Sequence, residues 1–407
     1  GLVIDTGRLD GAKGQIATAG ALQLTAAEVD HQGASLAAAQ LDITATGLDN
    51  RGGRIIATGT GGNILRVQGT LDNGNGGTLA SNGNLDIHVR TFGNAGGTVQ
   101  QAGSGSLAIA TQDLAGAGGT LLSNGSLDLQ GGTLDLRDGT TTAQRISIDG
   151  DSVTTAGGKL SALGTQALQL QARSLLDNTG GTLGSNGAIN VRAGRFVNDH
   201  GTLIAAGEAA SAIRAAQLEN RNGSISANGN LHIEAEALSG QGGSIGAARA
   251  LALQGGSLDL RGGSVAAEQL DIVADSLDNS AGALRATGSG TLALQVSGRL
   301  ANDAGTIASN GAQHIEAGEL SNRGGTLSSA GSASTELRVD GLLDNSNGLL
   351  ASNGATLKID AGRMANVKGT LSHAGTQGLL LHTGQLDGQG GTIASAGGIT
   401  LQADSVD

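Results

Sequence analysis

The chain contains no cysteine, proline, tryptophan or tyrosine, and apart from histidine its only aromatic rings are Phe92 and Phe196. Large enzymes use aromatics to fill thick cores and to line pockets, so their scarcity points to a thin core of small aliphatics repeated many times. Without proline, no strand has to give up a ladder hydrogen bond. Without cysteine, no disulfide can form, which suits an exported chain that must stay unfolded in an oxidising periplasm. No apolar run approaches the roughly 20 residues of a membrane-spanning helix. The formal net charge of -12 is spread along the chain and offers nucleic acid neither a basic face nor stacking rings. No signal peptide opens the sequence, and Gly1 falls inside a pattern, so the expectation is an interior piece of a longer protein.

What the chain has in abundance is glycine, 73 residues in 407, set in a recurring phrase. "GGTLASNGNLDIHV" from Gly76 returns as "GGTLLSNGSLDL" from Gly118, "GGTLGSNGAINV" from Gly180, "AGTIASNGAQHI" from Ala304 and "GGTIASAGGITL" from Gly390. Anchored on the glycine before the Thr-Leu step, the series runs from Gly14 through Gly33, Gly53, Gly77 and onward to Gly391. That gives 377 residues over 18 intervals, a mean of about 21. Such a period is that of a solenoid.

Each unit carries three apolar steps. The first follows the anchor, as at Leu79 and Ile307. The second alternates apolar and polar residues, as in Leu85-Asp86-Ile87-His88-Val89, the mark of a half-buried strand. The third is a single apolar residue, such as Leu48, Phe92 or Met364. Glycine, asparagine and serine fill the corners, where positive φ is needed. The glycine and asparagine density defeats helix. Three short strands and three corners per coil predict an all-β fold: a right-handed parallel β-helix of about nineteen coils, running as one continuous domain over residues 1–407. At about 4.8 Å per coil the rod would be on the order of 90 Å long. Stacking also predicts an amide ladder of Asn50, Asn73, Asn178, Asn220, Asn279, Asn302, Asn322 and Asn345.

A longer period overlies the first. "GGTLDLRDG" at Gly131 returns as "GGSLDLRGG" at Gly255, and the anchors Gly119 to Gly201 map onto Gly243 to Gly325 with the same offset of 124 residues. Six coils have been duplicated as a block.

"LDNRGGRIIATG" (Leu48–Gly59), "LDNTGGTLGSNGAINVRAG" (Leu176–Gly194) and "LSNRGGTLSSAG" (Leu320–Gly331) resemble the filamentous haemagglutinin repeats of bacterial two-partner-secreted exoproteins, among them adhesins and CdiA-type contact-dependent inhibition proteins. The resemblance covers essentially the whole chain. It implies an extracellular, monomeric β-helical filament on a Gram-negative surface, exported through a dedicated outer-membrane transporter. The family's secretion domain carries Asn-Pro motifs that this proline-free chain lacks, and no toxin region is visible, so the resemblance implies stalk without either end. Receptor or glycan contacts would then lie mainly in regions outside it.

No residue set earns a catalytic, cofactor or metal assignment. His31, His88, His200, His232, His314, His373 and His382 are dispersed and read as surface residues. His232 and His314 share an outward slot, but their coils are four apart, about 19 Å, too far to share an ion. Asp49, Asp72, Asp177, Asp278 and Asp344 sit at corners, where Asp bonds its own backbone, and no Gly-Gly-x-Gly-x-Asp calcium nonapeptide occurs. A polysaccharide-cleaving site would need paired carboxylates with stacking rings or Arg clamps, and the fold alone does not warrant one. Phe92 and Phe196 fall in the third apolar slot and read as core. Gln313 takes an inward slot held elsewhere by leucine, where a buried amide needs partners, and the expectation there is a wider or wetter coil. The expected function is a passive stalk. The alternative is a shaft whose own face binds glycans or receptors, to which the Arg51, Arg54 and Arg66 cluster would contribute.

Overall fold

The computed structural model describes residues 1–407, all as β-strands, turns and bends without helix. Parallel strands stack into a β-solenoid of about nineteen turns of roughly 21 residues. The chain divides into two compact units, residues 1–207 and 208–407.

In the first unit, ten short strands from Gln15–Ala17 to Thr202–Ala205 pair in parallel with their counterparts one coil on. The long strands, from Leu2–Asp10 to Ile189–Val197, do the same in a second sheet. Thr78–Ser81 shows the local logic: Leu79 and Ser81 point inward while Thr78 and Ala80 are half-exposed. Leu79 is in register with Ile55 and Val99, so like residues stack into a dry ladder. In Leu85–Gly93 the inward residues are Leu85, Ile87, Val89 and then Phe92. Alternation slips by one at Arg90-Thr91, and that slip bends the strand.

The second unit repeats this with nine short strands, Ser224–Ala227 to Thr392–Ser395, and long strands from Ser211–Glu219 to Ile399–Val406. Its ladders are the same in kind. Leu284, Ile307, Leu327, Leu350 and Leu371 form one, and Leu294, Ile315, Leu337 and Ile359 another. Each fully buried aliphatic contributes about 1.5–3 kcal/mol relative to exposure.

The expected third strand is not separate. The second and third apolar steps lie on one long strand bent in the middle, and only Ser126–Gln130 and Thr133–Asp135 split, at Gly131-Gly132. The bend also absorbs variation in coil length. Where one coil has an extra residue, the register shifts there, as between Ala45/Leu48, Ala172/Leu175 and Val296/Arg299.

The corner before each short strand explains the glycine pair. Its first member adopts positive φ, as at Gly52 (62°), Gly96 (64°) and Gly324 (61°). Its second member, the anchor, lies flat on the neighbouring coil. A Cβ at Gly325 would overlap the Asn302 carbonyl and come within 2.6 Å of the Asn322 Oδ1. Gly33 (φ 62°) proves to be the positive-φ member of its corner and Ala34 the anchor, one residue later than the sequence spacing suggests. The backbone bonds agree: Ser35 N–H donates to Gly14 O and Arg54 N–H to Ala34 O.

The amide ladder forms, and its rungs all face one way. Nδ2 of each asparagine donates to Oδ1 of the next: Asn50 to Asn73 (2.7 Å) to Asn94 (2.8 Å), and Asn279 to Asn302, Asn322, Asn345 and Asn366 at 2.7 Å each. Asn94, Asn198 and Asn366 belong to it beyond the eight read from sequence, Asn198 accepting from Asn178 at 2.7 Å. Other side chains also hold the slot: Thr155 Oγ1 donates to Asn178 Oδ1 (2.9 Å), and His31 bonds Asn50. The ladder breaks at Gly116 and Leu136, and again 124 residues on at Gly240 and Leu260, so the duplication carried its interruptions along. Below Asn279 the Leu260 side chain offers no donor, and Asn279 Oδ1 is buried without a partner.

Candidate functional site

Chemistry on the outer surface concentrates at the corner acids. Asp49, Asp72, Asp177, Asp278 and Asp344 each accept a hydrogen bond at Oδ1 from the backbone N–H two residues on, at 2.9–3.1 Å. These Asx turns are the role expected for the acids. In several coils an arginine two residues on grips the same carboxylate. Arg137 Nε and Nη2 fork onto Asp135 at 2.9 and 2.7 Å, and Arg261 repeats this on Asp259 at 2.9 and 2.6 Å. The arginine hydrogen bonds hold the Asp49, Asp135 and Asp259 carboxyls below their ordinary range. At Asp344 burial pushes the other way, but hydrogen bonds from Ser346 and Arg323 outweigh it and the pKa is lowered. These carboxylates are engaged by their own corners.

The histidines do not all lie on the surface. His88, His200 and His382 are exposed and His232 and His314 half-exposed, but His31 and His373 are buried at 1% and 2% exposure. His31 is buried because it stands in the amide slot. Asn50 spends its Nδ2 on Asn73, so its Oδ1 faces His31 Nδ1 at 2.8 Å, and that nitrogen carries the proton. His31 Nε2 then has no partner. His373 occupies the small inward slot that ends a short strand, between Ser352 and Ser395. Its Nε2 lies 2.9 Å from Gly354 O and its Nδ1 3.0 Å from Ser395 Oγ. His232 and His314 stand four coils apart in register. No three His, Asp or Glu side chains converge in a way that would hold a metal ion.

Burial lowers the His31 pKa below 6.5. A group depressed in the fold contributes stability above its unfolded pKa, and loses it as pH falls below 6.5 toward the lowered folded value. Denaturant unfolding of the amino-terminal coils should therefore show a midpoint that drops between about pH 7.5 and 5, whereas His31→Asn, which restores the usual slot residue, should flatten that drop. An unchanged pH profile in His31→Asn would remove His31 as its cause.

Phe92 and Phe196 are both fully buried in the third ladder, Phe92 between Leu71 and Leu114. Gln313 is 1% exposed and neither amide atom finds a protein partner, in contrast to Asn63, whose Oδ1 accepts from Leu41 N–H and whose Nδ2 donates to Ser81 Oγ, both at 2.9 Å. Arg51 and Arg66 are held by acids, Arg51 on Asp49 and Arg66 on Asp42 at 3.2 Å. In the second unit an open groove of about 680 Å³ follows the bend of the long strands, lined by Val273, Asp275, Glu316, Arg338 and Asp340 among others, with no aromatic ring. The structure contains no helix long and apolar enough to cross a membrane.

No curated protein and no solved structure matches the chain. The haemagglutinin repeat does, eight times in overlapping segments that run from residues 2–60 to residues 332–403. Those segments leave no gap between residues 2 and 403, and repeats of this kind are those of a filamentous adhesin-like stalk. The chain therefore belongs to the haemagglutinin repeat family.

Proposed function

We propose that these residues form the extracellular shaft of a large secreted exoprotein, a single continuous solenoid that carries a distal receptor-binding or toxin-bearing region away from the cell that makes it. The observation that carries this reading is the repeat itself, which fills residues 2–403 and gained length by copying a six-coil block. Repeats that contact only their neighbours can be added in blocks without repacking the rest. The corner acids turn inward on their own backbone and arginines, which suits a surface built for solubility and stacking. The protein acts without catalysis, leaves its cell through a dedicated outer-membrane transporter, and stands on or outside a Gram-negative surface. A second reading, in which the shaft binds its target directly, draws on the groove at Glu316. The two separate in one experiment. Applied alone to glycan arrays and to host or bacterial cells, the 407-residue fragment is expected to show no saturable binding. Saturable binding would make the shaft itself the adhesin.

A further inference from the structure

The two copies of the duplicated block have kept their cores and diverged on their surface. Leu183 and Ile307, Val191 and Ile315, and Phe196 and Leu320 occupy equivalent inward slots, all buried. In the same coil, "VRAGRF" at Val191 becomes "IEAGEL" at Ile315. The alanine and glycine between are unchanged, while Arg192 is replaced by Glu316 and Arg195 by Glu319. Both slots point outward at the bend of the long strand. Two charge reversals on one face of one coil set a pair of arginines in the first unit against a pair of glutamates in the second.

The surroundings carry both signs in each unit. In the first unit Arg173 lies one coil away from Arg192, with Asp149 and Asp151 held against it at 2.9 and 2.8 Å. In the second, Glu316 lines the open groove with Asp275 and Asp340 and one lining arginine, its register neighbour Arg338, while Glu319 beside the groove has Arg299 as its register neighbour. His314 Nε2 lies 3.3 Å from Glu316 Oε1, and Glu336 beyond it is already paired with Lys358 at 2.8 Å. The groove is open, and its lining carries three acids, Asp275, Glu316 and Asp340, to one arginine.

We infer that the occupant of this groove is a second copy of the chain, which docks the Arg192 and Arg195 edge of its first unit against Glu316 and Glu319. The contact is heterologous, unlike patch to unlike patch, so it brings filaments together side by side. This departs from the monomeric filament that the sequence suggests and does not depend on the shaft reading above. At about 0.1 M salt the Debye length is about 10 Å, so the overall charge of -12 is largely screened at a distance while groups in contact still attract.

Sedimentation equilibrium of the fragment at about 0.1 M salt should show reversible self-association that weakens roughly tenfold or more at about 0.5 M. Arg192→Glu with Arg195→Glu should abolish it, and Glu316→Arg with Glu319→Arg should do so independently. All four side chains are on the surface, so circular dichroism should be unchanged, and Arg192→Gln with Arg195→Gln gives a milder version of the first test. An equimolar mixture of the two charge-reversed proteins, one acidic at both patches and the other basic at both, should associate again. A wild-type fragment that stays monomeric at the lower salt, a reversed variant that associates as wild type does, or a mixture that stays monomeric would each overturn the inference.

Discussion

Replacing Gly325 by alanine is expected to cost about 3 kcal/mol or more, because the added Cβ would meet atoms that cannot give way. One is the backbone carbonyl of Asn302 in the coil below, and another is Asn322 Oδ1, 2.6 Å from the new carbon and fixed by its place in the amide ladder. The whole corner must lift, which breaks the Gly325-to-Asn322 backbone bond (3.1 Å) and the Asn322 Nδ2 bond to Gly325 O (3.3 Å). A long repeat array does not unfold as one cooperative unit, so the loss should appear as hydrogen-exchange protection falling in the coils around residues 302–345, with distant coils unaffected. Gly324→Ala, one residue earlier, meets no neighbour and pays only for its positive φ, so it should cost about 1–2 kcal/mol. Equal effects at the two positions would show that close approach is not what the anchor glycine serves.

The second large effect is expected within the amide ladder, and its size should depend on position. Asn322→Leu removes the acceptor of Asn302 Nδ2 and the donor to Asn345 Oδ1, both at 2.7 Å in a fully buried corner. Asn345 Oδ1 is orphaned, and Asn302 Nδ2 keeps only its longer bonds to Gly305 O (3.3 Å) and Thr326 O (3.2 Å), which puts the cost at about 2–3 kcal/mol. Asn279→Leu makes the same chemical change at the ladder's end. Asn279 Oδ1 already lacks a partner and the slot below holds Leu260, so only Asn302 Oδ1 is newly orphaned and the net cost should be about 1 kcal/mol or less. Urea midpoints or exchange protection for the two variants check this directly. Similar losses at both sites would mean that the amides act singly.

The coil period, the parallel stacking and the inward leucines were legible because identical positions recur at fixed spacing, and a repeated apolar slot has one physical use. The corner acids were legible for the same reason. The third strand was misread because the apolar spacing from Val89 to Phe92 looks like a corner, whereas the backbone stays extended and simply bends, leaving Arg90 and Thr91 both outward. His31 and His373 were misread by residue type. In alignment "VDH" at Val29 falls on "LDN" at Leu48, and "TLSH" at Thr370 on "TLAS" at Thr78, so slot was the better guide than chemistry. Asn94 and Asn198 follow glycine and valine, which hides them from a motif search, whereas Asn366 follows alanine just as Asn302 does; geometry places all three in the ladder. The charge reversal at Arg192 and Glu316 was visible in the text all along. It carries meaning only once both slots are known to face outward, with Glu316 at a groove.

If the coils form the modular shaft proposed above, its length can be set in blocks. Deleting Gly119–Gly242, the 124 residues of one duplicated block, joins Gly118 to Gly243 and preserves the glycine pair at the junction. In a longer protein whose distal region this shaft carries, as proposed, electron microscopy of this deletion should show a shaft shorter by roughly 29 Å, from six rises of about 4.8 Å. The activity of the distal region should be retained in kind. An unchanged length, or loss of target binding from a deletion that is still secreted and folded, would contradict the modular shaft.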